Sequence, residues 1–405
     1  MISSTAEPPI SMLRLLHTAD WQIGKPYGTV ADEQKRFRLQ QERLAAVGRI
    51  RDGVRLQGAQ LVLVAGDLFD SPTPTTAAVL EVLEAIGEME VPVLVIPGNH
   101  DHGGAGTVWH REDFQRHQRQ LAPQLQLLLE RRPLLLEQAV VLPCPLLRNQ
   151  DNSDPTQWLQ GLDWKQLPSD RPRIVLAHGG VHGFGARDYE ADEEAQSGAN
   201  NLIDLEALPA DAIDYIALGD WHNLKQVSEQ AWYPGTPEPD RFDQGEDNQR
   251  GQVLLVDLQR GVAPVVRPLS TGRFRWHNLQ VRFSGDDDLD RFERQVEELT
   301  AGRVARDLLR LEVSGSLSLA GHRRYQQLLD DLQQRLLRLR LKGECQQAPE
   351  ADELEQLTAG SEDPLIARVA QQLQHRLRLE NDPGSEQAAQ IRTALCELFQ
   401  YATNR

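Results

Sequence analysis

From Leu13 to about Thr271, short apolar runs alternate with segments of helical period. The runs at Leu13–Thr18, 60–65, 92–96, 140–143, 173–177 and 215–218 are continuous and strand-length, the pattern of strands covered on both faces. Between the first of them, 31–54 and 75–86 place apolar or small residues on one helical face. The combination predicts an α/β domain built on a central sheet. A Pro- and Gly-rich stretch at 233–242 reads as loop, while Gln252–Leu258 and 263–268 read as an antiparallel pair turning at 259–262 and closing the domain.

After Thr271 the texture changes. A strand at 274–283, an acidic turn at 285–288, a helix to about Leu299, a strand at 308–313, a helix from Ala320 and an alternating 337–342 predict a second, smaller α+β unit. Two amphipathic helices follow, one presenting Leu365, Ile366, Val369, Leu373 and Leu377, the other Ile391, Leu395, Leu398 and Phe399. The predicted organisation is a flexible N-terminal arm at 1–11, a large α/β domain at 12–271 and a smaller domain at 272–405 ending in those helices.

Composition narrows the class without naming a function. Forty per cent of the 405 residues are hydrophobic and 25% charged, ordinary values for a globular chain. No apolar run approaches the roughly 18–20 residues that a spanning helix needs, and the first residues lack the features of a signal peptide. Three scattered cysteines, Cys144, Cys345 and Cys396, have no zinc-finger spacing and suit a reducing cytoplasm. The net charge of −17 is the wrong sign for a protein that coats a polyanion, so any nucleic-acid activity must use a local site. Residues 271–405 hold 19 basic and 22 acidic side chains, which places most of the acid in the first two thirds.

Candidate chemistry gathers where the apolar runs end. They lead into Asp20 and Gln22, Asp67 and Asp70, Asn99 and His100, His178, and Asp220 with His222. Carboxyl ends of strands are where an open α/β sheet puts its reactive groups. One such ending means little, since a lone Asp at a strand end is usually a helix cap. Five, built from Asp, Asn, Gln and His, form a set of hard oxygen and imidazole donors suited to one or two divalent ions. Three buried aspartates without cations would be very costly.

In this order the segments GDLFD at 66–70 and GNHD at 98–101, with His178 and the G-x-x-H at 219–222, resemble the calcineurin-like metallophosphoesterases. HTADWQIGK at 17–25, VLVAGDLFDS at 62–71, VLVIPGNHDH at 93–102 and YPGTPEPDRF at 233–242 resemble, within that superfamily, bacterial DNA-repair exonucleases. The resemblance implies a layered α/β sandwich with a smaller C-terminal capping domain. It implies two divalent ions bridged by Asp67, one also held by Asp20, Gln22 and His222, the other by Asn99, His178 and Asp220. His100 would stabilise or protonate the leaving oxygen, with the Asp70 carboxylate on its other ring nitrogen. Gln22 and Asp220 stand where the family usually has histidine, which makes the donor set richer in oxygen and favours Mn2+ or Mg2+ over Zn2+. The implied partners are DNA and an SMC-like ATPase, with a homodimer as a further option and no membrane.

Other readings compete. A small-substrate phosphodiesterase or phosphatase would use the same core and agrees with the acidic charge. A degenerate scaffold would follow if Gln22 and Asp220 had cost the site a metal, although such a scaffold has no use for His100. The chain has no G-x-x-x-x-G-K-[ST] segment, so an ATP-driven step needs another polypeptide. His17, inside the first strand, reads as a core histidine. Trp21 and Trp221 read as packing beneath the site, and Arg335, Arg338, Arg340 and Lys342 as a half-exposed strand or helix end.

Overall fold

The computed structural model describes residues 12–181, 200–242, 249–347, 351–359, 364–380 and 385–403; the predicted arm at 1–11 lies outside them. The chain forms two compact units, one through Phe274 and one from Arg275. Strands of the first unit are β1 (Leu13–Thr18), β2 (Leu61–Ala65), β3 (Val93–Ile96), β4 (Leu125–Leu127), β5 (Leu134–Leu135), β6 (Val140–Cys144), β7 (Arg173–His178), β8 (Gly180–Val181), β9 (Leu202–Ile203), β10 (Tyr215–Gly219), β11 (Lys225–Gln226), β12 (Ala231–Tyr233), β13 (Gln252–Leu258) and β14 (Val265–Ser270). Its helices are α1 (Glu33–Gln57), α2 (Thr76–Gly87) and α3 (Glu112–Leu121).

Twelve of these strands build two six-stranded sheets rather than one, in the orders β14-β13-β1-β2-β3-β4 and β11-β12-β10-β7-β6-β5, and β8 and β9 pair separately. Each sheet has a parallel centre, β1-β2-β3-β4 in one and β12-β10-β7-β6 in the other. The continuous apolar runs explain the layering, because each central strand has a side chain to bury on both faces. Leu15, Leu63, Ile96, Val141, Leu176 and Ala217 meet in a core shared by the two sheets. Alternate residues of the first sheet, among them Val62, Val64 and Val95, pack outward on Val47, Ile50 and Val54 of α1 and Val82 and Ile86 of α2. The unit is therefore a layered α/β sandwich.

Local signals fix the helices around it. Asp32 caps α1 by accepting from the amides of Gln34 and Lys35, and Gly58 ends it with φ 64°, a left-handed conformation glycine adopts without a side-chain penalty. Thr75 caps α2 through the amide of Ala78. Of the 233–242 stretch, Tyr233 closes β12 and 234–242 form a loop, as the prolines predict.

In the second unit β15 (Arg275–Phe283), β16 (Asp307–Leu317), β17 (Arg338–Gly343) and β18 (Gln346–Gln347) pair parallel around β16, with α4 (Asp288–Thr300) and α5 (Leu319–Arg335) as crossovers. Phe283, Phe292, Leu309, Leu311, Val313, Tyr325 and Leu332 form its core. The unit ends in α6 (Ala351–Ala359), α7 (Pro364–Leu379) and α8 (Glu386–Thr403). The apolar face predicted for α7 splits: Ile366 is buried and Leu373 and Leu377 are half-buried, whereas Leu365 and Val369 are exposed. Residues 366, 370, 373 and 377 follow the helical repeat of one seam, and 365 and 369 lie about 100° to its side.

Candidate metal centre

Five parallel strands, three from one sheet and two from the other, bring the predicted residues together at their carboxyl ends. Asp20 and Gln22 follow β1, Asp67 and Asp70 follow β2, Asn99 and His100 follow β3, His178 ends β7, and Asp220 and His222 follow β10. The loops are tied to one another: the amide of Asp20 donates to the Gly66 carbonyl at 3.1 Å and that of Gln22 to the Asp67 carbonyl at 2.8 Å. Glycine makes the close approach of the sheets possible. A Cβ at Gly66 would strike the His178 imidazole, one at Gly219 the Ala65 carbonyl, and one at Gly98 the Asp67 carboxylate. Asp20, Gln22, Asp67 and Asp220 themselves sit at φ 54°, 42°, 55° and 103°, a region that non-glycine residues seldom occupy.

One side of the centre is a set of electron-pair donors. Ligand atoms of Asp20, Asp67 and His178, all buried, lie within 4.8 Å of one another. His178 Nδ1–H donates to the Ala65 carbonyl at 2.7 Å, which turns Nε2 toward Asn99 Oδ1 at 2.8 Å, Asp67 Oδ1 at 3.7 Å and Asp220 Oδ1 at 3.8 Å. Asp220, with a side chain 35% exposed, also donates its amide to both Asp20 carboxylate oxygens at 3.2 Å. Burial pushes the Asp20 carboxyl well above the usual range, and the neighbouring Asp67 and Asp220 carboxylates add to that push against His178. Burial alone would lower the His178 imidazole, but the Asp67, Asp20 and Asp220 carboxylates override it and raise it to about 9. Hard oxygens and one imidazole, crowded and short of positive charge, are the donor chemistry that a divalent cation satisfies.

The other side differs. Gln22 Nε2 lies 3.5 Å from Asp67 Oδ2 and 3.4 Å from His222 Nε2, while Gln22 Oε1 accepts from Lys25 Nζ at 3.1 Å. His222 Nδ1 meets Asp240 Oδ2 at 2.9 Å, and the Arg241 guanidinium lies against the same ring. Burial together with Arg241 holds the His222 imidazole well below its ordinary value. The buried Asp240 carboxyl is held well below its own, because Arg241 and His222 outweigh its burial.

His100 stands at the rim, its side chain 25% exposed. Its amide donates to Asp67 Oδ1 at 3.0 Å, and its Nε2 is 4.0 Å from Asp67 Oδ2. The hydrogen bond at its Nδ1 corrects an expectation: it runs to the main-chain carbonyl of Asp70 at 3.1 Å, not to the carboxylate. That carboxylate faces Lys25 Nζ at 3.6 Å, and the ammonium is the stronger partner for it. His17 is the core histidine its position predicts, fully buried between Tyr215 Oη at 2.9 Å and the Leu218 carbonyl at 3.1 Å. Trp21 is likewise buried, packed in the core under α1 and α2.

A family model for calcineurin-like phosphoesterases matches residues 13–224, which span β1 through the last ligand motif and so just over half of the chain. The chain belongs to the calcineurin-like phosphoesterase family. It is 25% identical over 348 residues to a subunit of the nuclease SbcCD of Escherichia coli K12, covering 71% of this chain and 82% of that protein. The corresponding subunit of Bacillus subtilis 168 is 25% identical over 274 residues, covering 62% and 67%. Among solved structures, GAP50, the anchor in the inner membrane complex of Plasmodium, aligns at 12% identity over 64% of this chain and 85% of that one, with a TM-score of 0.35. Membership of the phosphoesterase family implies divalent metal, and the donors around Asp67 fit it. Among the described residues, no helix is long and apolar enough to cross a membrane.

Several groups of this phosphoesterase centre were not among the candidate residues, although most of them lie inside the quoted segments. Asp101 is fully buried and accepts from the amides of Gly98 at 2.8 Å and Phe69 at 3.1 Å, so it ties the two loops that carry Asn99 and Asp67. Burial and the nearby Asp67 raise its carboxyl to about 7. Lys25, Asp240, Arg241 and Arg250 surround His222. The signal that could have found them is the run of charged residues inside the Pro-rich 233–242 loop, where solvated turns have no need of Glu238, Asp240 and Arg241 together. Arg43 of α1, also buried, donates to the carbonyls of Asp20, Trp21 and Glu238 and props the loop after β1.

Proposed function

We propose that the chain is a metal-dependent phosphodiesterase that cleaves DNA, a nuclease acting on ends or hairpins alongside an SMC-like ATPase. The observation that carries this reading is the convergence of Asp20, Asp67, Asn99, His178 and Asp220 with a rim histidine that touches Asp67 through its amide. Likeness to a nuclease component from two bacteria supports DNA as the substrate. Bound divalent metal supplies Lewis-acid stabilisation of the phosphoryl group during in-line displacement. Oxygen-rich donors favour Mn2+ or Mg2+ for that role. A second ion, as the resemblance implies, would draw on Gln22 and His222.

The chain's own residues supply the rest. His100, steadied at Nδ1 by the Asp70 carbonyl, presents Nε2 for a proton to the leaving oxygen. Asp101 and Arg43 hold the ligand-bearing loops in their strained conformations, so the donors need no rearrangement on binding. Leu365, Val369 and Leu379 of α7 and Tyr401 of α8 are exposed, which supports docking of a partner there. Three free, buried cysteines agree with a cytoplasmic setting.

The net charge of −17 favours a second reading, a phosphodiesterase for small nucleotides. Assays with Mn2+ on DNA duplexes, DNA hairpins and bis-nitrophenyl phosphate in parallel separate the two. The nuclease reading expects cleavage of all three; hydrolysis of the small diester with intact DNA would reverse the choice.

A further inference from the structure

The Gln22 side of the centre is furnished with cations that belong to the chain. Lys25 Nζ is 3.1 Å from Gln22 Oε1, 3.6 Å from Asp70 Oδ1 and 3.7 Å from Asp240 Oδ2, with its side chain 14% exposed. An ammonium has only donors, so it fixes which end of the Gln22 amide it meets: the oxygen turns to Lys25 and the NH2 turns inward. That NH2 faces Asp67 Oδ2 and His222 Nε2. A donor group cannot ligate a metal ion. His222 donates from Nδ1 to Asp240 Oδ2 at 2.9 Å, the Arg241 guanidinium lies against the Nδ1 side of the ring, and the acceptor Nε2 faces the Gln22 NH2 at 3.4 Å. Arg250 Nη1 adds a third cation, 3.3 Å from Asp240 Oδ1.

The opposite side has the reverse character. Around His178 Nε2 stand Asn99 Oδ1 and the carboxylates of Asp67 and Asp220, with Asp20 within the same cluster. Asp20, which the resemblance assigns to the ion on the Gln22 side, thus lies with the donors of the other ion. The two oxygens of Asp67 divide between the sides, Oδ1 toward His178 and Oδ2 toward the Gln22 amide.

We propose that this centre holds a single divalent ion, on Asp20, Asp67, Asn99, His178 and Asp220, and that Lys25 supplies the positive charge that a second ion would bring to the Gln22 side of Asp67. The inference rests on the phosphodiesterase reading and deepens it. Substituting glutamine for the usual histidine is then a coordinated change: the amide accepts from Lys25 on one end and donates toward Asp67 on the other, which relays a fixed cation to the carboxylate. A charge built into the chain does not dissociate, so the metal requirement reduces to one binding event.

The test is a count of ions on the full chain. Calorimetric titration with Mn2+ should give one ion per chain, and the electron paramagnetic resonance spectrum at saturation should be that of an isolated Mn2+ rather than an exchange-coupled pair. Lys25→Met should keep one ion while hydrolysis of bis-nitrophenyl phosphate falls on the order of 100-fold, the scale of losing one preorganised charge. The paired variant Gln22→His with Lys25→Met should bind a second ion and show the coupled signal. Two ions on the unmodified chain, with hydrolysis intact, would overturn the inference and leave the phosphodiesterase reading standing. No bound Mn2+ and no hydrolysis would overturn both. A paired variant that folds and still binds one ion would remove Lys25 from the explanation.

Discussion

Asp67 occupies a left-handed backbone position, φ 55°, at the point where both sheets and five strand ends meet. Such positions cost of order 1–3 kcal/mol each and persist only where the surroundings over-determine them; Asp20, Gln22 and Asp220 share the feature. The motif residues were legible because their types and order are set by donor chemistry. Lys25 and Asp240 were not, because Asp240 reaches His222 and Lys25 only through the fold, and sequence spacing does not report that contact. The departures at Gln22 and Asp220 were visible as residues, but the direction of the Gln22 amide depends on Lys25. His17 yields a prediction at this scale. Burial lowers its imidazole to about 3, against 6.5 in an unfolded chain. Between those values the unfolded chain takes up the proton and the folded one does not. Its contribution is therefore complete above pH 6.5 and is lost as the pH falls, at about 1.4 kcal/mol per unit. Urea unfolding of His17→Gln at pH 6.5, 5.5 and 4.5 should show a shallower loss than wild type by that slope. Identical slopes would mean that His17 becomes charged while folded.

Elements were legible in proportion to how apolar they are. Central strands such as β2 and β3, buried along their whole length, read as uninterrupted apolar runs. Helix α3 did not, since Glu112–Leu121 buries only Phe114 and is otherwise polar, which leaves little periodicity to detect. The division of the strands between two sheets was also hidden, because runs apolar on both faces look the same in either sheet. Helix α1 does more than cover a face. Its Arg43 carries hydrogen bonds to three main-chain carbonyls, and replacing it would take the donor from those of Asp20 and Trp21, while Glu238 would keep its bond from Thr236 Oγ1. Arg43→Leu should destabilise the first unit by about 3–5 kcal/mol and weaken Mn2+ binding together, as read by thermal unfolding and metal titration. A stable variant with unchanged metal affinity would show that the loop after β1 holds itself.

For the whole molecule, charge and exposed apolar surface bear on different partners. On the proposed nuclease reading an acidic chain would meet DNA through a local site, so cleavage should depend on bound metal more than on overall charge. The exposed α7 positions bear on the proposed ATPase partner. Leu365→Glu with Val369→Glu, both on exposed positions, should abolish copurification with a coexpressed SMC-like ATPase while hydrolysis of bis-nitrophenyl phosphate stays within twofold, a margin of about 0.4 kcal/mol. Retained copurification would move the partner surface elsewhere. Removing divalent metal with a chelator should lower the thermal midpoint, because an ion bound only by the folded chain stabilises it; an unchanged midpoint would mean that the acidic cluster needs no cation. The most direct measurement follows cleavage of end-labelled DNA with Mn2+ by wild type, Asp67→Asn and His100→Ala, with metal content determined on the same samples. Wild type should cleave in a metal-dependent way, Asp67→Asn should lose both cleavage and metal, and His100→Ala should lose cleavage while retaining metal. Full cleavage by either variant would contradict the roles given to Asp67 and His100.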